Sequence, residues 1–415
     1  MEYVKLNNGI EIPMLGFGVF QVEDGAECVN AVRNALDVGY RHIDTAQNYG
    51  NEKSVGQAIK ESGIPREEIF VTTKLLNAVQ MLGVVADGFE ESLDDLGMDY
   101  VDLYLMHWPL KPKKYMDAWL EMEKIYKSGR AKAIGVCNFH EHHLAEIEKV
   151  WGVVPALNQV ELHPEFSQKP LIEYCKAKGI AMQSYSPLGG SRNAARMLQN
   201  SILTEIGKKY GKTAAQVILR WNIQQGIITI PRSIKPERIK SNFEVFDFEL
   251  TVEDMAAIDA INIDARVGSN PDTFEFKHWI NGGEGLEEIH KIRRIVFIEE
   301  QNVSEEDEMI AWEDETSEHL LMYEADVPVA TGRIVMHDGK YSIGRVAVLK
   351  EHRGKGYGRV VMNDLINRAY RLGAKEIEIH AQSYLVNFYS SFGFEICSEE
   401  YEEAGIMHFT MILKK

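Results

Sequence analysis

Cysteine is scarce in this chain: Cys28, Cys137, Cys175 and Cys397 are the four present, and no Cys-x-x-Cys pair occurs among them. Such usage argues against a disulfide framework or a structural zinc site and leads to the expectation of a reduced, cytoplasmic setting. Long apolar runs are missing too. No stretch approaches the roughly 18 uninterrupted apolar residues of a membrane span. The opening Met-Glu-Tyr-Val-Lys has neither the basic start nor the apolar core of a secretory signal. A soluble protein without a membrane partner is the expectation. Cations are outnumbered, with 45 Lys and Arg against 63 Asp and Glu and a net charge of −18. The deficit is shared, 16 against 25 in residues 277–415 and 29 against 38 before them. No surplus of cations is left to neutralise phosphates, which argues against general nucleic-acid binding while leaving room for local basic pockets. Internal repeats and low-complexity tracts are lacking as well. The one biased segment is acidic, residues 304–318, and reads as a solvated face or as an attractor for a cationic amine.

What is there is a chain of 415 residues, 45% hydrophobic, enough for a large domain and a smaller one. A small hairpin is expected around Asn7-Asn8-Gly9. After it, short runs rich in β-branched and aromatic residues alternate with amphipathic helical stretches. The strand runs lie near 15–19, 42–45, 69–74, 103–107, 133–137, 156–161, 181–185 and 227–231. Eight units, with polar residues at the strand ends around the whole series, favour a (β/α)8 TIM barrel over an open doubly wound sheet. The rhythm changes near Arg266-Val267-Gly268-Ser269-Asn270-Pro271. Beyond about 280 it becomes α+β, with helices expected at 286–300 and 357–372. The expected division is a barrel over 1–276, a linker at 277–283 whose Gly-Gly-Glu-Gly stretch is its most flexible part, and a second domain over 284–415.

Four polar residues of the first domain stand at or just after strand ends: Asp44, Tyr49, Lys74 and His107. Carboxyl ends of neighbouring parallel strands share one mouth of a barrel. An acid, a phenol, an amine and an imidazole gathered there are the parts needed to place a proton on a carbonyl oxygen. Tyr49 is the natural donor, although a free phenol has a pKa of about 10. Lys74 is expected to lower that value, Asp44 to keep Lys74 charged and oriented, and His107 to direct the substrate oxygen.

With these residues placed, residues 1–276 resemble an aldo-keto reductase of the small prokaryotic type that reduces diketo sugars and other aldehydes. The resemblance rests on Gly-Phe-Gly at 16–18, His-Ile-Asp-Thr-Ala at 42–46 with Tyr-Gly-Asn-Glu at 49–52, and Val-Thr-Thr-Lys-Leu at 71–75. It continues through Asp-Tyr-Val-Asp-Leu-Tyr-Leu-Met-His-Trp-Pro at 99–109, Asn-Gln-Val-Glu-Leu-His-Pro at 158–164 and Ile-Pro-Arg-Ser-Ile-Lys-Pro-Glu-Arg-Ile at 230–239. It implies reduction of a small-molecule carbonyl substrate by NADPH without a metal, with Tyr49 as acid. It further implies that Asn138 and Gln159 hold the nicotinamide carboxamide and that Tyr185 stacks on the ring. Ser186, Leu188 and Gly189 would surround the pyrophosphate. Arg232, Ser233 and Arg238 would meet the adenosine 2′-phosphate, and Asn242 the adenine. Two arginines and a serine within seven residues suit a phosphomonoester on chemical grounds as well. Cys137, Ser241 and Leu76 depart from the family's usual serine, glutamate and tryptophan, which touches cofactor affinity and substrate range.

In the second domain, Gly344-Arg345-Val346-Ala347-Val348-Leu349 reads as a strand. Arg353-Gly354-Lys355-Gly356-Tyr357-Gly358 follows it and opens a helix. A glycine loop at a helix start aims free N–H groups and the positive dipole end at an anion. Together with Ile292 to Gln301, Ala-Thr-Gly-Arg at 330–333, Phe-Tyr-Ser-Ser-Phe-Gly-Phe at 388–394 and Ala-Gly-Ile-Met-His at 404–408, this region resembles the GNAT acetyltransferases. The resemblance implies acetyl-CoA, with Arg353, Gly354, Gly356 and Gly358 in the pyrophosphate loop and Val346 and Val348 on the pantetheine. Tyr389 would protonate the departing thiolate. Glu299, Glu300, His319 and His408 are the candidate bases for an amine acceptor whose identity these residues leave open, as they do the oligomeric state. The expectation is a bifunctional enzyme. The alternatives are a reductase carrying an acyl-CoA-sensing second domain or a scaffold fusion.

Overall fold

The computed structural model describes residues 1–110, 112–274, 276–283, 285–324, 327–337 and 339–414. Glu284 of the expected Gly-Gly-Glu-Gly stretch lies outside them. The chain forms two compact units, 1–274 and 275–415.

The first unit opens with the hairpin β1 (Tyr3–Lys5) and β2 (Glu11–Pro13). Eight parallel strands follow in chain order: β3 (Phe17–Gly18), β4 (His42–Asp44), β5 (Phe70–Leu75), β6 (Val101–Met106), β7 (Ala131–Cys137), β8 (Leu157–Glu161), β9 (Ala181–Tyr185) and β10 (Ile228–Thr229). Each pairs with its neighbour in sequence. A parallel bridge from Leu15 to Thr229, with Gly16 N donating to Thr229 O at 2.9 Å, joins first to last and closes the barrel. Strands covered on both faces carry no polar-out alternation. In β5 all six residues of Phe-Val-Thr-Thr-Lys-Leu are buried, so even Lys74 points into protein. Amphipathic helices cover the strands. Ala26–Val38 buries Cys28, Val29, Ala31, Val32, Ala35 and Leu36 and ends at Gly39, whose φ of 120° suits a residue without Cβ. Glu52–Ser62 approaches Val85–Leu96 so closely that a Cβ on Gly56 would fall 2.0 Å from Leu96 O. Only glycine permits that packing.

The second unit is one mixed sheet. Its strands are β11 (Lys277–Asn281), β12 (Glu318–Glu324), β13 (Val327–His337), β14 (Lys340–Val348), β15 (Glu376–Gln382), β16 (Glu395–Ile396), β17 (Tyr401–Glu403) and β18 (Ile406–Lys414). Order runs β11-β12-β13-β14-β15-β18-β16, with β17 also on β18. The expected linker at 277–283 is corrected here. Residues 277–281 are strand β11, antiparallel to β12, with Lys277 opposite Met322 and Asn281 opposite Glu318. Its apolar residues explain this: Ile280 packs on the core of Leu286, Ile289, Ile292, Val296, Leu321, Ala347 and Leu349. Trp279 meanwhile lies under the Arg368 guanidinium, 5.7 Å away.

The acidic segment is a second correction, because it is not simply a solvated face. It forms two short helices, Glu305–Glu308 and Ala311–Thr316, and begins β12. Glu308 and Asp314 are buried and face buried arginines. Arg293 Nε donates to Glu308 at 2.5 Å, while Arg293 and Arg333 both donate to Asp314 Oδ1, at 2.7 and 2.6 Å. Arginines distant in sequence thus neutralise two of its carboxylates, which removes them from any role in attracting an amine.

Candidate active sites

The barrel brings the four strand-end residues together. Lys74 is fully buried, and its ammonium donates to Asp44 Oδ1 at 2.6 Å, Thr45 O at 2.8 Å and the Tyr49 hydroxyl at 3.2 Å. Tyr49 ends a short 3-10 turn, Gln47–Tyr49, which carries it back over β4. The His107 ring meets the Tyr49 ring edge-on at 5.8 Å. Asp44 is held from its other oxygen by Gln159 Nε2 at 2.7 Å.

Electrostatics separate the roles. Burial works against the Lys74 ammonium, but Asp44 and then Tyr49 outweigh it and raise its pKa, so it stays charged. Burial lowers His107 well below its ordinary 6.5, and the positive charge of Lys74 adds to this, so the imidazole is neutral. For Tyr49 the expectation of a lowered pKa is corrected. Burial pushes the phenol up to about 12, and the pull of Lys74 only partly offsets it. A phenol that keeps its proton at neutral pH is a donor in waiting, not a phenolate.

Around this centre, Tyr185 OH donates to Asn138 Oδ1 at 2.8 Å, and Asn138 Nδ2 donates to the His107 carbonyl at 3.1 Å. Asn138, with φ 62°, turns out of β7 towards β8, where its N–H meets Gln159 O at 2.9 Å. Asn138, Gln159 and Tyr185 therefore share one hydrogen-bonded rim with the tetrad. Past β9, Ser186 (φ 48°), Gly189 (φ 86°) and Gly190 (φ 64°) make a left-handed turn closed by Gly189 N on Ser186 O at 2.8 Å, with Leu188 inside it. The turn leads into helix Gly190–Met197, whose N-terminus carries no side-chain cap, a backbone arrangement of the kind that makes an anion cradle. Arg232 and Arg238 are exposed on the segment leading into and along helix Pro236–Phe243. Arg232 donates to Gln21 O at 2.7 Å, Ser233 Oγ accepts from Lys235 N at 3.1 Å, and Asn242 is buried in the last helical turn. Leu76 is fully buried and starts helix Asn77–Leu82, while Trp108 stacks on Phe274 at 4.2 Å. Burial pushes the Cys137 thiol up, which keeps it inert.

Sequence reasoning missed Glu161. Its buried carboxylate accepts from Val267 N at 2.6 Å and Gly268 N at 2.8 Å, latching the 266–269 segment beside Tyr185. An acid at the carboxyl end of the 157–161 strand run, where the other strand-end polar residues gather, was the available signal.

In the second unit, β14 and β15 pair only at Tyr341–Ile377 and Ser342–Glu378 and then part. Val346 and Val348 lie in the diverging portion, beyond a bulge at which Arg345 has φ 51°. Gly354 (φ 78°) and Gly356 (φ 83°) need the left-handed region, and no atom would meet a Cβ on Gly354 within 4 Å. Gly356 caps helix Tyr357–Arg371, and Gly358 lies in its first turn, so a positive helix end stands there with no side-chain cap. The Arg353 side chain is engaged elsewhere, donating to Glu300 at 2.7 Å and to the Val348 carbonyl at 2.9 Å. Tyr389, on helix Val386–Ser390, is buried, which pushes its phenol up to about 12. Among the candidate bases, Glu300 is tied to Arg353, and His319 is buried with Nε2 against the Asp314 carbonyl at 3.0 Å. His408 stacks on Tyr401, and Glu299 is exposed on the π-helical turn Arg294–Glu300.

Comparison with known proteins agrees with this division. The aldo/keto reductase family model matches residues 14–263, and the acetyltransferase (GNAT) domain model matches 288–415. A glyoxal reductase of Bacillus subtilis is 51% identical over 275 residues, covering 66% of this chain and 98% of the relative. A 9,11-endoperoxide prostaglandin H2 reductase of Trypanosoma cruzi is 51% identical over 271 residues, covering 65% and 95%. Among solved structures, an aldo-keto reductase from a Medee basin deep-sea metagenome superposes with a TM-score of 0.64 at 44% identity, covering 66% of this chain and all of that one. All three relatives span only the barrel. The chain belongs to the aldo-keto reductase family, with a GNAT acetyltransferase domain joined to its C-terminal end.

Proposed function

We propose that the chain is an NADPH-dependent reductase of small aldehydes and dicarbonyls, and that its second domain transfers acetyl from acetyl-CoA to an amine. The observation that carries the first half is the Asp44–Lys74–Tyr49 contact chain, with neutral His107 at its side. NADPH, when bound, supplies the hydride. The residues of the chain then do the rest. His107 offers a neutral N–H to the substrate oxygen and fixes its direction, and Tyr49 gives that oxygen its proton. Lys74 stabilises the negative charge left on the phenol, while Asp44 holds Lys74 in place. Asn138 and Gln159 would receive the carboxamide, with Tyr185 against the ring and the Ser186–Gly189 turn around the pyrophosphate. Arg232, Ser233 and Arg238, with Asn242, would take the adenosine end. The left-handed turn and the exposed arginines support this reading. The glyoxal reductase relative directs the first assay to glyoxal and methylglyoxal. Purified protein should consume NADPH with these substrates, and Arg238→Ala should raise KM for NADPH about 10-fold with little change for NADH. Equal effects on both cofactors would refute the 2′-phosphate assignment.

For the second domain, the open β14–β15 cleft and the glycine-capped helix fit the pantetheine and pyrophosphate of acetyl-CoA. The chemistry that ligand supplies is an activated thioester. Tyr389, protonated because it is buried, would give its proton to the leaving sulfur. Calorimetry on the full chain should show acetyl-CoA binding that Gly356→Val, which puts a β-branched side chain at φ 83°, abolishes. The full chain is required because a fragment starting at 280 would cut β11. Absence of heat with the parent chain would remove this half.

A further inference from the structure

Outside the tetrad, one group of side chains has no place in the chemistry above. His140, His142 and His143 stand at the start of helix Glu141–Glu148, and Asp272 faces them from the segment that ends the barrel. Asp272 Oδ1 lies 2.8 Å from His140 Nδ1, 3.3 Å from His142 Nε2 and 3.9 Å from His143 Nε2. One ligand atom from each of the four residues lies within 4.8 Å of all the others. Bonds of about 2.0–2.2 Å from a tetrahedral zinc ion put neighbouring ligand atoms about 3.4 Å apart. The observed separations bracket that value. Asp272 is held by its own backbone, whose N–H donates to Asn270 Oδ1 at 3.1 Å. His140 N donates to His143 Nδ1 at 3.1 Å.

We propose that His140, His142, His143 and Asp272 form a site for one late first-row divalent ion, zinc above all, which fastens the 266–274 segment to helix Glu141–Glu148. Three imidazoles and one carboxylate suit zinc, nickel or copper, and not the all-oxygen shells of magnesium or calcium. A full set of four protein ligands is the closed arrangement of a structural site. Proton accounting makes the site conditional. Arg266 Nη2 lies 3.0 Å from His140 Nε2. A guanidinium only donates, so His140 accepts there and its Nδ1–H donates to Asp272. An ion on Nδ1 replaces that proton, which moves through solvent to Nε2, and Arg266 must turn away. At His143 the ion likewise replaces the Nε2 proton, and the hydrogen bond from His140 N is given up. Arg266 immediately precedes the Val267 and Gly268 N–H groups that Glu161 holds beside Tyr185. The ion and the guanidinium thus compete for His140 next to the reductase mouth.

The test is calorimetric titration of the untagged full chain, stripped of metal, with Zn2+. The expected result is one ion per chain, with binding weakened about 10- to 100-fold or more in both Asp272→Asn and His142→Ala. In Arg266→Gln, binding should be tighter than in the parent. Melting of the metal-free variants controls for folding. Co2+ loaded in place of Zn2+ should give the strong visible bands of a tetrahedral ion, lost in Asp272→Asn. No bound ion, or an affinity unchanged by Asp272→Asn and His142→Ala, overturns the site. An unchanged affinity in Arg266→Gln overturns the competition.

Discussion

At the scale of single residues, Lys74 is the pivot of the reductase site. It is an ammonium with no exposure to water, satisfied by one carboxylate, one carbonyl and one phenol. A buried charge left unpaired costs several kcal/mol, which is why Asp44 and Lys74 only make sense as a pair. The same charge keeps His107 neutral, since burial and Lys74 both push its pKa well below 6.5. A lowered value means the imidazole stays unprotonated as pH falls through the ordinary histidine range. The reductase kcat/KM should therefore show no inflection from His107 between about pH 6 and 7. A steady-state pH profile checks this, and a break there would place a positive charge on His107. The tetrad was legible in the sequence because each member sits at or just past the end of a short strand run, where the fold class alone decides its position. The sign of the Tyr49 shift was not legible. It depends on how far burial outweighs Lys74, and neighbours in sequence carry no information about depth.

At the scale of elements, two buried polar arrangements tie separate elements together. Glu52 opens helix Glu52–Ser62, is buried, and accepts from the Thr73 hydroxyl of β5. Burial pushes its carboxyl from 4.5 up to about 8. The folded chain thus keeps a proton that the unfolded chain loses above the ordinary carboxylate range. The Glu52 contribution is full below about pH 4.5 and is lost as pH rises to about 8. Thermal unfolding should show a midpoint that falls over this interval in the parent and falls less in Glu52→Gln. An unchanged slope would contradict the shift. In the second unit, Arg293 faces Glu308 and Asp314. Removing one partner of a buried ion pair costs about 3–5 kcal/mol. Arg293→Ala should accelerate hydrogen exchange across the sheet of residues 318–348, leaving the barrel strands protected. Exchange in residues 318–348 unchanged between the parent and Arg293→Ala would deny the network a structural role. The acidic run was visible in the sequence, but its partners Arg293, Arg333 and Arg345 lie 15 to 37 residues away, so two of its carboxylates could not be recognised as buried. Strand β11 was hidden for a related reason. A five-residue edge strand next to glycines reads as a tether until its partner β12 is known.

At the scale of the whole molecule, the chain has two compact units, each with its own candidate site. Barrel strands β3 to β10 were legible from their rhythm because parallel βα units follow one another in space as they do in sequence. The contacts that closed loops make across the barrel were not legible. Glu161 reaches Gly268 across 107 residues and Asp272 reaches His140 across 132. No period or local motif marks either pair. The relatives' coverage of two-thirds of the chain matches the length of the first unit. The central claim is that Tyr49 delivers the proton in hydride transfer from NADPH. Single-turnover mixing of the NADPH-loaded full chain with methylglyoxal tests it most directly. The account predicts rapid loss of NADPH absorbance in the parent and a rate at least about 100-fold slower in Tyr49→Phe, with NADPH binding unchanged. Equal rates in the two proteins would contradict it.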